Sequence, residues 1–195
     1  ISPLALRNTS RFSMGIDFAD LDRDGHDDFV VMDMLSRSHE KRMVQMGEAL
    51  RPSERGDDLN RRPQFSRNTM YRNRGDGTFA EVAYWAGTHA AEWAWTPVFL
   101  DVDLDGFEDL LVTNGHERDA LNVDVRRQIE EQIKNPRLSR NDILRLSNMY
   151  ARLATPNVAF RNRGDFSFEE VSGRWGFDQS AVSHGMMLAD LDGDG

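Results

Sequence analysis

One loop, of the form Asp-x-Asp-x-Asp-Gly-x-x-Asp, limits what this chain can fold into more than any other feature. It sits between short apolar runs and it recurs. The first copy is Asp20, Asp22, Asp24, Gly25 and Asp28, and the second is Asp101, Asp103, Asp105, Gly106 and Asp109. A third begins with Asp190, Asp192 and Asp194. A different segment alternates with it: NTMYRNRGDGTFAEV at 68–82 and NVAFRNRGDFSFEEV at 157–171. Asn73 precedes Asp101 by 28 residues, and Asn162 precedes Asp190 by the same 28. Equal offsets in a recurring order mark one duplicated structural unit.

Both kinds of segment read as β-hairpins. Ile16 and Phe18 alternate with polar or small residues before the first loop, and Phe29, Val30 and Val31 follow it. Short apolar runs flanking a Gly-containing turn are the hairpin signature. Two hairpins per unit give four antiparallel strands, the blade of a β-propeller. The expected fold is therefore all-β with helical insertions: two blades, the start of a third, and a chain cut from a larger ring. The expected division is a lead-in at 1–12, blade one at 13–82 with an insert at 34–66, and a connection at 83–93. Blade two follows at 94–171 with an insert at 115–156, and 172–195 opens blade three. Helical spacing marks the inserts. Met43, Met46 and Leu50 recur after Ser38, and Val125, Ile129 and Ile133 follow Asn122 up to Pro136. Ser139 with Asp142 three residues on reads as a helix N-cap.

Alternate carboxylates on a tight turn converge on one point, and Gly at position six allows the sharp bend. Position seven, His26 or Phe107, can offer only its backbone carbonyl, and position nine, Asp28 or Asp109, closes the shell from the next strand. A set of hard oxygens without thiolate or imidazole suits Ca²⁺ and not Zn²⁺. Position twelve is Val31 or Val112, where an EF-hand needs an acid. The expectation is two full structural calcium sites and a partial one at Asp190, Asp192 and Asp194.

These loops resemble the FG-GAP/VCBS repeats of integrin-α-like propellers. The phrases YRNRGDGTFAEV, WAWTPVFLDVDLDGFEDLLVTNGHERD and FRNRGDFSFEEVSGRWGF are similar to bacterial VCBS proteins that often carry an ASPIC/UnbV domain. The resemblance implies an exported protein, extracellular, periplasmic or on the cell surface, with no established reaction. Blade two departs from the pattern with Phe166-Ser167 where blade one has Gly77-Thr78, and the third loop has no ninth position in this sequence.

Blade connectivity puts the Asp loops and RNRGD turns on one face and the inserts on the other. Trp85, His89, Trp93, His116, Glu117, Arg118 and Trp175 fall on the insert face, a candidate ligand surface, with Trp93, Trp95 and Trp175 also read as packing between blades. A glycan or protein partner fits long loops on a rigid scaffold. The other readings are part of a propeller-fold polysaccharide lyase or hydrolase, and a structural spacer. The net charge of −9 sits largely in the Asp loops, and no basic, aromatic-studded stripe suggests nucleic acid. The chain has no cysteine, hence no disulfide or thiolate site, and no apolar run long enough to span a membrane. The Arg-Gly-Asp triplets at 74–76 and 163–165 sit in hairpin turns where Gly and Asp have local structural roles. Asn8-Thr9-Ser10 matches the N-glycosylation pattern, which is common by chance.

Overall fold

A computed structural model of the chain describes residues 4–45, 62–134, 139–190 and 193. The order begins β1 (Thr9–Ser10), β2 (Ile16–Ala19), β3 (Asp28–Val31), β4 (Met34–Leu35), α1 (His39–Gln45), β5 (Gln64–Phe65), β6 (Thr69–Asn73) and β7 (Phe79–Glu81). It continues α2 (Ala83–Ala86), β8 (Glu92–Leu100), β9 (Asp109–Asn114), α3 (Val123–Ile133), α4 (Arg140–Leu146), β10 (Thr155–Pro156), β11 (Val158–Asn162), β12 (Phe168–Glu170) and β13 (Ser180–Ala181). No helix among the described residues is long and apolar enough to cross a membrane.

Two antiparallel sheets make the body, as expected for four-stranded blades. β2-β3-β6-β7 form the first in chain order. β8-β9-β11-β12 form the second in the same manner. The registers repeat: Phe29 faces Tyr71 in the first blade, and Leu110 faces Phe160 in the second. Strand alternation sends successive side chains to opposite faces. Val30, Met32 and Met70 of blade one therefore meet Leu110, Val112, Phe160 and Phe168 of blade two in one buried core. Phe29, Tyr71 and Phe79 point the other way, where Leu6 of the lead-in joins them.

The seam between blades is tied by polar bonds as well. Asp17 Oδ2 of β2 accepts the Phe99 N–H at 2.7 Å. Asn162, wholly buried, donates through Nδ2 to the carbonyl of Leu21 at 2.9 Å and to that of Glu108 at 3.1 Å. Gly15 allows the close approach: a Cβ there would lie 2.3 Å from the Trp95 carbonyl oxygen.

The helices begin where the caps place them. Asn122 Oδ1 accepts the N–H groups of Asp124 and Val125 at the start of α3, and Ser139 and Asp142 form a reciprocal capping box on α4. Met46 and Leu50, expected to extend the α1 pattern, and Pro136, expected to stop α3, lie outside the described residues.

Three pairings have no counterpart in the sequence reading. β4 leaves blade one and adds to the edge of blade two, Met34 facing Trp93 and Leu35 facing Glu92. β1 pairs with β5 in parallel, and β10 pairs with β13. Trp93 accordingly packs against insert residues Met34 and Leu153 and not in the inter-blade core, with Trp95 half-buried beside it. Glu92 anchors this strap: it accepts Ser36 Oγ at 2.8 Å and the Arg37 N–H at 3.1 Å, and holds a positive φ of 64°.

Asn162→Ala strands two carbonyls in a buried seam and should cost about 1–3 kcal/mol. Asn73 is its repeat equivalent, but half-buried and donating to Asp27 O, so Asn73→Ala should cost less. Urea unfolding of the two variants makes the comparison.

Candidate metal centres

Each Asp loop is wound by its own first carboxylate. Asp20 accepts the N–H groups of Asp24 at 3.0 Å and Gly25 at 2.9 Å. Asp101 accepts those of Asp105 and Gly106 at the same distances. Asp24 and Asp105 each accept the N–H two residues on, that of His26 and Phe107, at 3.0 Å. Gly25 and Gly106 take φ of 86° and 95°, which side chains resist. Position four is left-handed too, with Arg23 at 60° and Leu104 at 57°. Nothing in the identity of Arg or Leu signals that turn.

Position nine is the anchor. Asp28 Oδ2 accepts the Leu21 N–H at 3.0 Å, and Oδ1 accepts the Asn73 N–H at 2.7 Å. Asp109 does the same with Val102 and Asn162, each at 2.9 Å. Both carboxylates are fully buried. One side chain thus joins the Asp-loop hairpin to the second hairpin of its blade.

The carboxylates converge. Asp20, Asp22 and Asp24 each offer an oxygen within 4.8 Å of the others, and so do Asp101, Asp103 and Asp109. Asp22 Oδ1 is buried without a hydrogen-bond partner. Crowded carboxylates repel one another at this range. A donor set of hard oxygens, one of them unpartnered, could hold a metal ion. In the partial third loop, Asp190 Oδ1 accepts the Gly193 N–H at 2.7 Å, while Asp192 and Asp194 lie outside the described residues.

The RNRGD turns lie beside the Asp loops at the same end of each blade. A Cβ on Gly75 would meet the His26 ring at 2.6 Å, and one on Gly164 the Phe107 ring at 3.0 Å. Asp76 Oδ1 accepts both the N–H and the hydroxyl of Thr78, and Asp165 does so from Ser167, so these triplets shape their own turns. The two Asp loops are also joined. Arg23 donates to Gly106 O and pairs with Glu108 at 3.2 Å.

The residues proposed for a ligand surface separate into groups. Trp85 is 73% exposed on α2, beside Tyr84, whose ring stacks on His89 at 4.4 Å. Trp93 is buried and stacks on His116 at 4.2 Å, and Trp95 packs on His184 at 4.6 Å. Arg118 turns to the Tyr150 carbonyl and Asn148. Glu117 is exposed and Trp175 half-buried. Sequence reasoning overlooked Arg72 and Arg161, which reach the loops from β6 and β11. Only their shared place before Asn73 and Asn162 could have marked them.

Residues 57–112 match the family model of FG-GAP-like repeats. The match runs from ahead of the second hairpin of blade one through the second Asp loop and into β9, so it spans the junction of two blades. No curated protein and no solved structure matches the chain.

Burial, helped by the charges of Asp22 and Asp24 and opposed by its two N–H donors, pushes Asp28 up to about 6. Asp109 is raised for the same reasons, with Asp103 and Asp105 as the neighbours. A raised carboxyl pKa means that the fold prefers the neutral acid. That stabilisation is fully present below the ordinary 3.8 and is lost as pH rises through about 6. A bound dication favours the ionised form, so protons and cation compete. Divalent-cation affinity should fall severalfold between about pH 7 and about pH 5. Calorimetric titration at the two pH values measures it.

Proposed function

We propose that the chain is a calcium-stabilised, propeller-type binding or scaffold module of an exported protein. The observation that carries this reading is a carboxylate trio in each loop, Asp20, Asp22 and Asp24 in the first and Asp101, Asp103 and Asp109 in the second, on one duplicated turn. The same turn, with the same winding bonds and the same buried ninth-position anchor, occurs twice at equivalent places. In the first loop Asp20, Asp22, Asp24 and Asp28 would hold the ion with the His26 carbonyl. In the second, Asp101, Asp103, Asp105 and Asp109 would do so with that of Phe107. Asp190, Asp192 and Asp194 would begin a third site. The ion would supply positive charge to a crowded acidic turn, and the protein's part is to hold the loop in shape. Extracellular modules bind calcium at about 0.1–1 mM, which suits an exported protein.

The outer face of blade one supports a continuing ring. Ile16 and Phe18 are 52% and 56% exposed and, with Phe29, Val31, Tyr71 and Phe79, line an open apolar hollow of about 500 Å³. Their repeat equivalents in blade two, among them Phe99, Leu110, Val112, Phe160 and Phe168, are the residues packed into the inter-blade core. A further blade would therefore cover this face. The insert-bearing end, with Tyr84 and Trp85 exposed on α2, is the surface we assign to a glycan or protein partner.

The test is a thermal melt in excess EDTA and again in about 10 mM Ca²⁺. Mass action at each site should add about 1.4–2.7 kcal/mol. An upward shift with Ca²⁺ that Mg²⁺ does not reproduce is the expected result, and equal melting in all three conditions refutes the calcium reading.

A further inference from the structure

We propose that Arg72 and Arg161 are built-in counter-charges of the Asp loops, neutralising positions three and five when no cation is bound and thereby setting the affinity for one. The inference rests on reading the loops as cation sites.

The contact is made twice, by equivalent residues. Arg72 lies on β6 directly before Asn73, whose N–H bonds to Asp28. Its Nη2 is 2.5 Å from Asp22 Oδ2 and 3.9 Å from Asp24 Oδ2. Arg161 lies on β11 directly before Asn162. Its Nε pairs with Asp103 Oδ2, and its Nη2 is 2.5 Å from Asp105 Oδ2. Asp22 and Asp24 correspond to Asp103 and Asp105 in the repeat. Proximity of a basic hairpin to an acidic loop does not explain these partners, since Arg163, two residues further along, pairs with Glu169 instead.

Strand register produces the contact. Asp28 and Asp109 fix Asn73 and Asn162 against the loop base. The preceding Arg projects from the same strand end, with a side chain long enough to reach the loop's third and fifth positions. Its charge is permanent, because guanidinium does not lose its proton in proteins. Two consequences follow from Coulomb's law. With no cation bound, each Arg offsets repulsion among carboxylates that share a few ångströms. With a dication bound, the same positive charge sits close to it and weakens binding. The Arg thus keeps the blade folded over a wide range of calcium concentration and holds the affinity down.

The experiment compares the 195-residue chain with R72M/R161M and R72K/R161K, reading CaCl₂ binding by titration calorimetry and melting in EDTA. Methionine keeps the apolar stem and removes the charge. The methionine variant should bind Ca²⁺ about tenfold more tightly, the effect of removing one unit charge a few ångströms from a dication in a solvated site. It should also melt lower in EDTA. The lysine variant keeps the charge and should stay near the wild type in affinity. The single variants R72M and R161M, each with one intact loop, serve if the double variant does not fold, and each should tighten one of two sites. Calcium binding by the wild type with unchanged or weaker binding by the methionine variants overturns this inference alone. No binding by the wild type removes the calcium reading and this inference together.

Discussion

Everything in each blade hangs on one buried carboxylate with two backbone donors. Asp28 holds the Leu21 N–H of its own loop with one oxygen and the Asn73 N–H of the next hairpin with the other. Asp109 repeats the arrangement with Val102 and Asn162. Burying an acid is costly, and here the backbone of two separate hairpins offsets part of that cost, with burial still raising the carboxyl pKa. A single side chain therefore ties the base of the Asp loop, which Asp20 or Asp101 winds, to the strand end that carries Arg72 or Arg161. The loop comes together because its base is fixed.

The same residues carry the joint between blades. Leu21, whose N–H is held by Asp28, offers its carbonyl to Asn162 of blade two. Asn162 in turn has its N–H held by Asp109. The anchors of two blades are thus linked through a short chain of hydrogen bonds. Arg23 adds a second link by bridging from the first loop to Gly106 and Glu108 of the second. Acid-cluster geometry and blade packing therefore share the same residues, Leu21, Arg23, Asp109 and Asn162.

The blades were legible in the sequence because their information is local. Apolar alternation, Gly at the turns and the fixed offsets located the hairpins, and Asn122 and the Ser139–Asp142 pair located two helix starts. The carboxylates of the loops were legible for the same reason. What escaped was long-range. Met34 and Leu35 are two residues without a strand pattern, and only the free edge of β8 makes them a strand. Glu92 reads as an ordinary surface acid, yet its left-handed backbone and its bonds to Ser36 and Arg37 place it under the first insert. Trp93 reads as core and is core, but of a small cluster shared by the two inserts. Arg72 and Arg161 look like surface charges until the strand register is known.

The strap formed by β4 changes what the repeat means. Duplication at the level of sequence suggests interchangeable parts, each blade a unit that can be copied, moved or lost. Yet blade one lends two residues to the sheet of blade two, and Glu92 of blade two fastens the segment that lends them. Removing either leaves the other with an open edge or a buried carboxylate without its partners. The two blades are alike in sequence but share one sheet edge, so neither is a self-contained unit.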